Sequence, residues 1–240
     1  DFENITYEKY QGNRSKILVI FTENKDLKMQ NDKLFSTGNH PIEALLPMLH
    51  LKNAGFHFEI ATPTGKPVVF EMWAFPEEDE NVKAIYAELK SSFENPTSLA
   101  EFVDSSFKNS ESYAAVFVPG GHGAMIGIPE DRNVGKTLTW AHTNDLFTIS
   151  LCHGPGSFLS TTLDEQTFIY EGYNMAVFPD AIDKQTRMVG YLPGQMRSGV
   201  SERIQKLGAT IVNTASDATV CVDRKLNTGA SPIASNELGK

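Results

Sequence analysis

Five residues in this chain are set out for nucleophilic chemistry. Cys152-His153-Gly154-Pro155-Gly156 comes directly after the apolar run Leu146-Phe147-Thr148-Ile149-Ser150-Leu151. That run is short, apolar and β-branched in part, which predicts a buried strand. The strand stops at a thiol and turns through small residues toward a helix at Ser157-Phe158-Leu159-Ser160. This is the layout of a nucleophile elbow, in which a tight strand-to-helix turn presents one side chain at the strand tip. The N–H groups of the next turn and their dipole are expected to favour a thiolate. A thiolate is a strong nucleophile. A free cysteine elsewhere is commonly an inert, buried small hydrophobe; the glycine-rich turn at a strand end sets Cys152 apart from that description. Cys221, within an apolar stretch, fits it.

A nucleophilic thiol needs a base, and the base needs an orienting group. His153 is the residue immediately after Cys152. The segment Phe178-Pro179-Asp180-Ala181-Ile182-Asp183 ends the next apolar run, so Asp180 and Asp183 are both candidate orienters; solvation of a loop or capping of a helix would also explain them. Pro119-Gly120-Gly121-His122-Gly123 lies at the end of another predicted strand. The N–H groups of Gly120 and Gly121, with that of His153, could face a developing oxyanion, and His122 joins them as a candidate substrate-binding residue. A turn needing positive φ explains one glycine here more easily than three. Glu43 falls in the first turn of a helix predicted from Pro41. There it either complements the helix dipole or acts as a buried, protonated carboxyl beside the thiol. Pro47, four residues on, cannot supply the N–H that would pair with the Glu43 carbonyl.

The elements that must position these residues alternate. Lys16–Thr22, 56–61, Tyr113–Val118, 146–151 and Tyr173–Phe178 read as strands. Residues 41–54 read as a helix, with Ile42, Leu45, Leu46 and Leu49 on one face, and 133–143 and 201–207 as further helices. Val68–Trp73 reads as a strand, and 77–93 as a helix through Val82, Ile85, Tyr86 and Leu89. Residues 23–33 read as a polar loop, 178–184 as a loop, and 209–212 and 219–222 as short strands, with a helix from Ser231. Alternation with short linkers predicts an α/β fold, a doubly wound and mostly parallel sheet. Candidate loops then gather at the carboxyl ends of its strands. Residues 1–15 are expected to be an N-terminal arm, and about 66–100 an inserted small domain within the 16–240 unit.

The 240 residues carry a net charge of -9, which argues against a nucleic-acid backbone or an anionic membrane as the main partner. Two cysteines make no disulfide framework. No apolar stretch approaches membrane-spanning length, and the first residues lack the pattern of a signal peptide, so a cytoplasmic location is expected. The stretch from Gly121 to Gly127 has the wrong spacing for a dinucleotide fingerprint, and neither a P-loop nor an H-E-x-x-H occurs.

Several of these segments, taken as longer blocks, resemble the ThiJ/PfpI superfamily and, within it, the HchA-type stress proteins described as chaperone, glyoxalase III and deglycase. The blocks are 150–155 (SLCHGP), 119–124 (PGGHGA), 35–47 (FSTGNHPIEALLP), 178–186 (FPDAIDKQT), 190–194 (GYLPG) and Asp223-Arg224-Lys225. The resemblance runs from about Lys16 to the end. It implies a flavodoxin-like sandwich with a small inserted domain, a homodimer, and a triad of Cys152, His153 and Asp183 with Glu43 beside the thiol. It selects Asp183 over Asp180, because Asp183 holds the last position of the FPDxxD pattern. Relatives can bind zinc at positions that correspond here to Lys52, His57 and Leu89. Lysine and leucine cannot serve as such ligands, so that metal site is expected to be absent and no cofactor is expected.

The resulting expectation is a glutathione-independent glyoxalase that turns methylglyoxal or glyoxal into a 2-hydroxy acid through an adduct on Cys152. Removal of glycation from proteins or nucleotides is the chemically adjacent alternative. A second class is a holdase for unfolded or glycated proteins, for which Phe70, Met72, Trp73 and Phe75 are candidate surface residues. An amidase or peptidase using the same triad is a third.

Overall fold

A computed structural model describes residues 1–164 and 167–240. In chain order it places β1 (Lys16–Ile20), β2 (Asp26–Lys28), β3 (Leu34–Ser36), α1 (Pro41–Asn53) and β4 (His57–Thr62). Next come α2 (Glu80–Glu94), β5 (Thr97–Ser98), α3 (Leu99–Ser105), β6 (Tyr113–Val118), α4 (Arg132–Thr143) and β7 (Phe147–Leu151). The chain ends with β8 (Asn174–Met175), α5 (Asp180–Thr186), α6 (Ser201–Lys206), β9 (Thr210–Ile211), β10 (Val220–Asp223), β11 (Leu226–Gly229) and α7 (Ser235–Gly239).

Seven strands form one sheet in the order β10-β11-β7-β6-β1-β4-β5. All neighbours are parallel except the β10–β11 hairpin. The chain winds outward from β1 in both directions, so the order reverses between β1 and β6. Clefts of doubly wound sheets open at such a reversal. Strand β1 shows why a continuous apolar run belongs in the centre. Its Ile17 and Val19 pack into one core with Leu45 and Met48 of α1 and Val82 and Ile85 of α2. Leu18 and Ile20 pack into the other core with Phe102 of α3 and Leu138 of α4. A strand covered on both faces has no use for polar alternation.

Several expectations change. Val68–Trp73 is not a strand of the sheet: a single bridge joins Asn39 to Phe70, and Met72–Ala74 is a 3-10 turn. Residues 26–36 form a β2–β3 hairpin where a polar loop was expected. The run 173–178 pairs only at Asn174–Met175, and 180–186 is helical. The 66–100 segment contributes α2 to the α1 side of the sheet and β5 to its edge. Residues 1–15 lie along α1: Tyr7 Oη is 2.6 Å from His50 Nδ1, and the Tyr10 ring stacks on Phe56. No helix among the described residues is long and apolar enough to cross a membrane.

Asn39 fastens the loop ahead of α1 to the end of β1. Its Oδ1 accepts the Thr22 N–H at 3.1 Å, and its Nδ2 donates to the carbonyls of Thr22 (3.1 Å) and Val69 (2.7 Å). The side chain is 1% exposed, so water cannot replace these bonds. Asn39→Ala is expected to lower stability by about 2–4 kcal/mol in urea unfolding. A loss below about 0.5 kcal/mol would show that the clasp is unimportant.

Candidate active site

The turn after β7 carries the predicted thiol. Cys152 has φ 58°, a left-handed conformation that a non-glycine residue holds only under tertiary constraint. Two hydrogen bonds impose it. The Cys152 N–H donates to the Gly229 carbonyl of β11 (2.8 Å), and its carbonyl accepts the Phe178 N–H (3.0 Å). Beyond the turn the chain enters a 3-10 segment, Gly154–Thr162, where the sequence pattern suggested a regular helix.

Around Cys152 the structure brings together Glu43, Gly120, Gly121, His122, His153 and Asp183. His153 Nδ1 lies 3.4 Å from Cys152 Sγ, and His153 Nε2 lies 2.8 Å from Asp183 Oδ2. A carboxylate only accepts, so Nε2 carries the proton and Nδ1 turns a lone pair to the thiol. The His153 ring is fixed from one side by stacking on Phe178, with centroids 4.6 Å apart. Asp180, the other candidate, does not touch His153. Its carboxylate accepts the N–H groups of Val200, Ser201 and Glu202 and caps α6.

Asp183 has a second imidazole. His122 Nε2 lies 2.9 Å from Asp183 Oδ1, and the two imidazole centroids are 4.1 Å apart. His122 was expected among the substrate-binding residues; sequence spacing gave no sign that it shares the triad carboxylate from 61 residues away. Burial alone would raise the Asp183 pKa, but the two imidazoles hold it well below the usual carboxylate range. His122 itself is pushed down to about 4, first by burial and then by the neighbouring His153.

Glu43 is 1% exposed and faces the thiol. Burial pushes its carboxyl well above the usual range, and the negative charge of Glu71 pushes the same way. Its Oε2 is buried with no hydrogen-bond partner. The Cys152 thiol is raised too, first by burial and then by the charge of Glu43. The expected thiolate-favouring field of the turn is therefore outweighed. Among the backbone groups, the Gly121 N–H is the one that opposes this rise. Two adjacent buried anions cannot both persist, so Glu43 keeps its proton when Cys152 loses one. Glu71 is a residue the sequence did not single out. It is 2% exposed, accepts a hydrogen bond from Thr37 Oγ1, and comes just after the Asn39–Phe70 bridge. Its place in a run of mixed apolar residues concealed that burial.

The glycines of the 120s have a steric cause. A Cβ on Gly120 would overlap Glu43 Oε2 and come within 2.8 Å of Cys152 Cβ. Gly121 has φ 94°. The N–H groups of Gly120 and His153 have no backbone partner among the described residues.

The residues at the positions implied for zinc do not fit a metal. Lys52 pairs with Glu88 on the surface, and Leu89 has no donor atom, so His57 stands alone. His122, His153 and Asp183 present donor atoms within 4.8 Å of one another. Both Nε2–H groups there are already spent on the carboxylate.

No family model matches the chain. Over all 240 residues it is 49% identical to the protein/nucleic acid deglycase HchA of Escherichia coli O157:H7, spanning 84% of that protein. It is equally similar, over the same share, to the protein/nucleic acid deglycase 1 of Escherichia coli strain K12. Among solved structures it superposes on glyoxalase III from Candida albicans with a TM-score of 0.73 at 18% identity, covering 95% of each chain. For the Rapid Encystment Protein of Francisella tularensis the TM-score is 0.77 at 19% identity, covering 94% of this chain and 96% of that one. At such identities these two show a shared fold.

The low pKa of His122 has a stability consequence. Between the ordinary 6.5 and the folded value of about 4, the unfolded chain binds a proton that the folded chain refuses. Stability from this group is therefore complete above about 6.5 and is lost as pH falls toward 4. The advantage of wild type over His122→Gln in urea unfolding is expected to narrow by roughly 2–3 kcal/mol between neutral pH and pH 4. A difference that stays constant with pH would show that His122 is not held neutral.

Proposed function

The chain belongs to the family of the protein/nucleic acid deglycase HchA, and on that footing we propose that it is a cysteine-dependent, glutathione-independent glyoxalase that also acts on the adducts 2-oxoaldehydes form with amines. The observation that carries this reading is the contact of Sγ with His153 and of His153 with Asp183, beside a thiol that the buried Glu43 carboxyl also faces.

The reaction begins when Sγ bonds to the aldehyde carbon of methylglyoxal. The thiol proton passes to His153 Nδ1, and the imidazolium is stabilised by Asp183. The carbonyl oxygen takes up negative charge near the Gly120 and His153 N–H groups and is then protonated, giving a hemithioacetal. A proton leaves C1 and one is delivered to C2. C1 is thereby oxidised to a thioester and C2 reduced to an alcohol, with no external electron acceptor. Glu43 suits this shuttle, because burial raises its carboxyl and so lets it hold a proton that it can give up and take back beside the thiol. Water then cleaves the thioester, releasing lactate and restoring the thiol.

An amine adduct joins the same route. Attack by Sγ on the carbinol carbon expels the amine and leaves the same hemithioacetal. Glycated proteins, nucleotides and free 2-oxoaldehydes are thus substrates of one intermediate. A holdase activity is the second reading. It draws support from Met72 and Trp73, which are exposed, whereas Phe70 and Phe75 pack against the core on the α1 side of the sheet.

Purified protein given methylglyoxal without glutathione is expected to produce lactate, and Cys152→Ala none. Glu43→Gln is expected to stay folded and lose about 100-fold or more in kcat. Full activity in Cys152→Ala would end the proposal.

A further inference from the structure

Asp183 holds two imidazoles where a nucleophilic triad requires one. His153 Nε2 lies 2.8 Å from Oδ2 and His122 Nε2 lies 2.9 Å from Oδ1, so each ring gives its Nε2–H to its own carboxylate oxygen. The ring centroids are 4.1 Å apart and the planes are tilted by 36°. Each ring therefore keeps a lone pair at Nδ1. That of His153 faces Sγ at 3.4 Å. That of His122 has no hydrogen-bond partner among the described residues and, unlike His40 Nδ1, it is not sealed from solvent. His122 is 7% exposed overall. An otherwise buried imidazole thus leaves its basic nitrogen accessible, beside the ring that serves the thiol.

Cleavage of a thioester needs a base to take a proton from the attacking water. His153 is poorly free to do this. Its ring is bound to Asp183 and stacked on Phe178 at 4.6 Å, and its Nδ1 faces the sulfur that must leave. His122 hangs from the same carboxylate and is flanked by the rings of Phe35 at 5.5 Å and Tyr191 at 6.1 Å. Burial, and then His153, keep His122 unprotonated at neutral pH, as a base must be. Asp183 acts in the opposite sense and steadies the imidazolium once a proton arrives. When Sγ is acylated it has no proton to give His153, so that ring stays neutral and no longer repels a charge on His122.

We propose that His122 is the general base for the water that cleaves the Cys152 thioester. This rests on the reading of Cys152 as the carrier of a lactoyl group. The water oxygen bonds to the thioester carbon, and one water proton passes to His122 Nδ1. The oxyanion collapses, the C–S bond breaks, and its electron pair stays on Sγ. The proton of the nascent lactic acid reaches the thiolate by way of His153 Nδ1, and His122 returns its own proton to solvent. Lactate, one proton and the free thiol result, with no change of oxidation state. The two imidazoles on one carboxylate divide the work: His153 serves the sulfur and His122 serves the water.

His122→Gln keeps a side-chain N–H for Asp183 and has no basic nitrogen, so it separates the base from the anchor. With methylglyoxal, intact-mass spectrometry of quenched samples is expected to show a lactoyl group accumulating on Cys152 of His122→Gln and not of wild type, with lactate release about 100-fold slower. Hydroxylamine, a nucleophile that needs no base, should discharge that adduct as the hydroxamate at close to the wild-type turnover rate. In a second variant, His122→Ala, added imidazole should restore lactate release. The lactoyl thioester of a small thiol loads Cys152 by thiol exchange and repeats the comparison without the glyoxalase steps. Discharge at the wild-type rate in His122→Gln would overturn the base. So would adduct formation lost together with lactate release from both sources, or a His122→Ala that imidazole does not rescue, since His122 would then only position the triad. No lactate from wild type with methylglyoxal, beside His122-dependent discharge of the preloaded thioester, would overturn the glyoxalase reading and leave the base standing.

Discussion

The left-handed backbone of Cys152 is the constraint on which the site depends. Its backbone is bound on one side to β11 and on the other to Phe178, so the turn that carries the sulfur cannot shift without breaking those bonds. Its position requires that Gly120 lack a side chain, since the carboxyl of Glu43 fills that space. Its neighbour His153 must stand between Sγ and Asp183, and the Phe178 ring stacked on it leaves little choice of orientation. Separate segments from across the chain are thus fitted to one residue's φ angle.

The second organising factor is the shortage of solvent. Cys152, Glu43, Glu71, His122, His153 and Asp183 are all buried. A buried group keeps a charge only with an opposite charge or strong donors beside it. Asp183 has two imidazoles and remains anionic. Glu43 has a thiol, one N–H and a neighbouring carboxylate, and keeps its proton. The same buried environment therefore drives one carboxyl down and another up a short way apart.

Much of this was legible in the chain. Strands with continuous apolar cores, such as Tyr113–Val118, announce a buried parallel sheet, and the thiol at the tip of β7 announces the turn. Motif resemblance separated Asp183 from Asp180, which local pattern alone could not do. Other features were hidden for physical reasons. The β2–β3 hairpin is three residues per strand and half exposed, too short to show a period. Residues 173–178 look like a strand because they are apolar, but they are buried by packing and pair over two residues only. The pKa of Cys152 depends on the carboxyl of Glu43, far away in the chain, and no local reading of the elbow could contain it. Glu71 and the His122–Asp183 bond are likewise products of tertiary packing.

The bond from Cys152 to Gly229 has a bearing on biosynthesis. Gly229 lies in β11, which follows every other strand of the sheet in sequence and joins β7 in parallel across a long intervening stretch. Parallel pairing at such separation forms late, because chain closure must come before the contact rewards it. Domains also fold from the amino end while the ribosome is still extending the chain. An unfinished chain therefore carries Cys152 on an unset turn, away from a formed triad. The thiol is in this way left unset until β11 joins β7, and the geometry around Cys152 appears only with that last pairing.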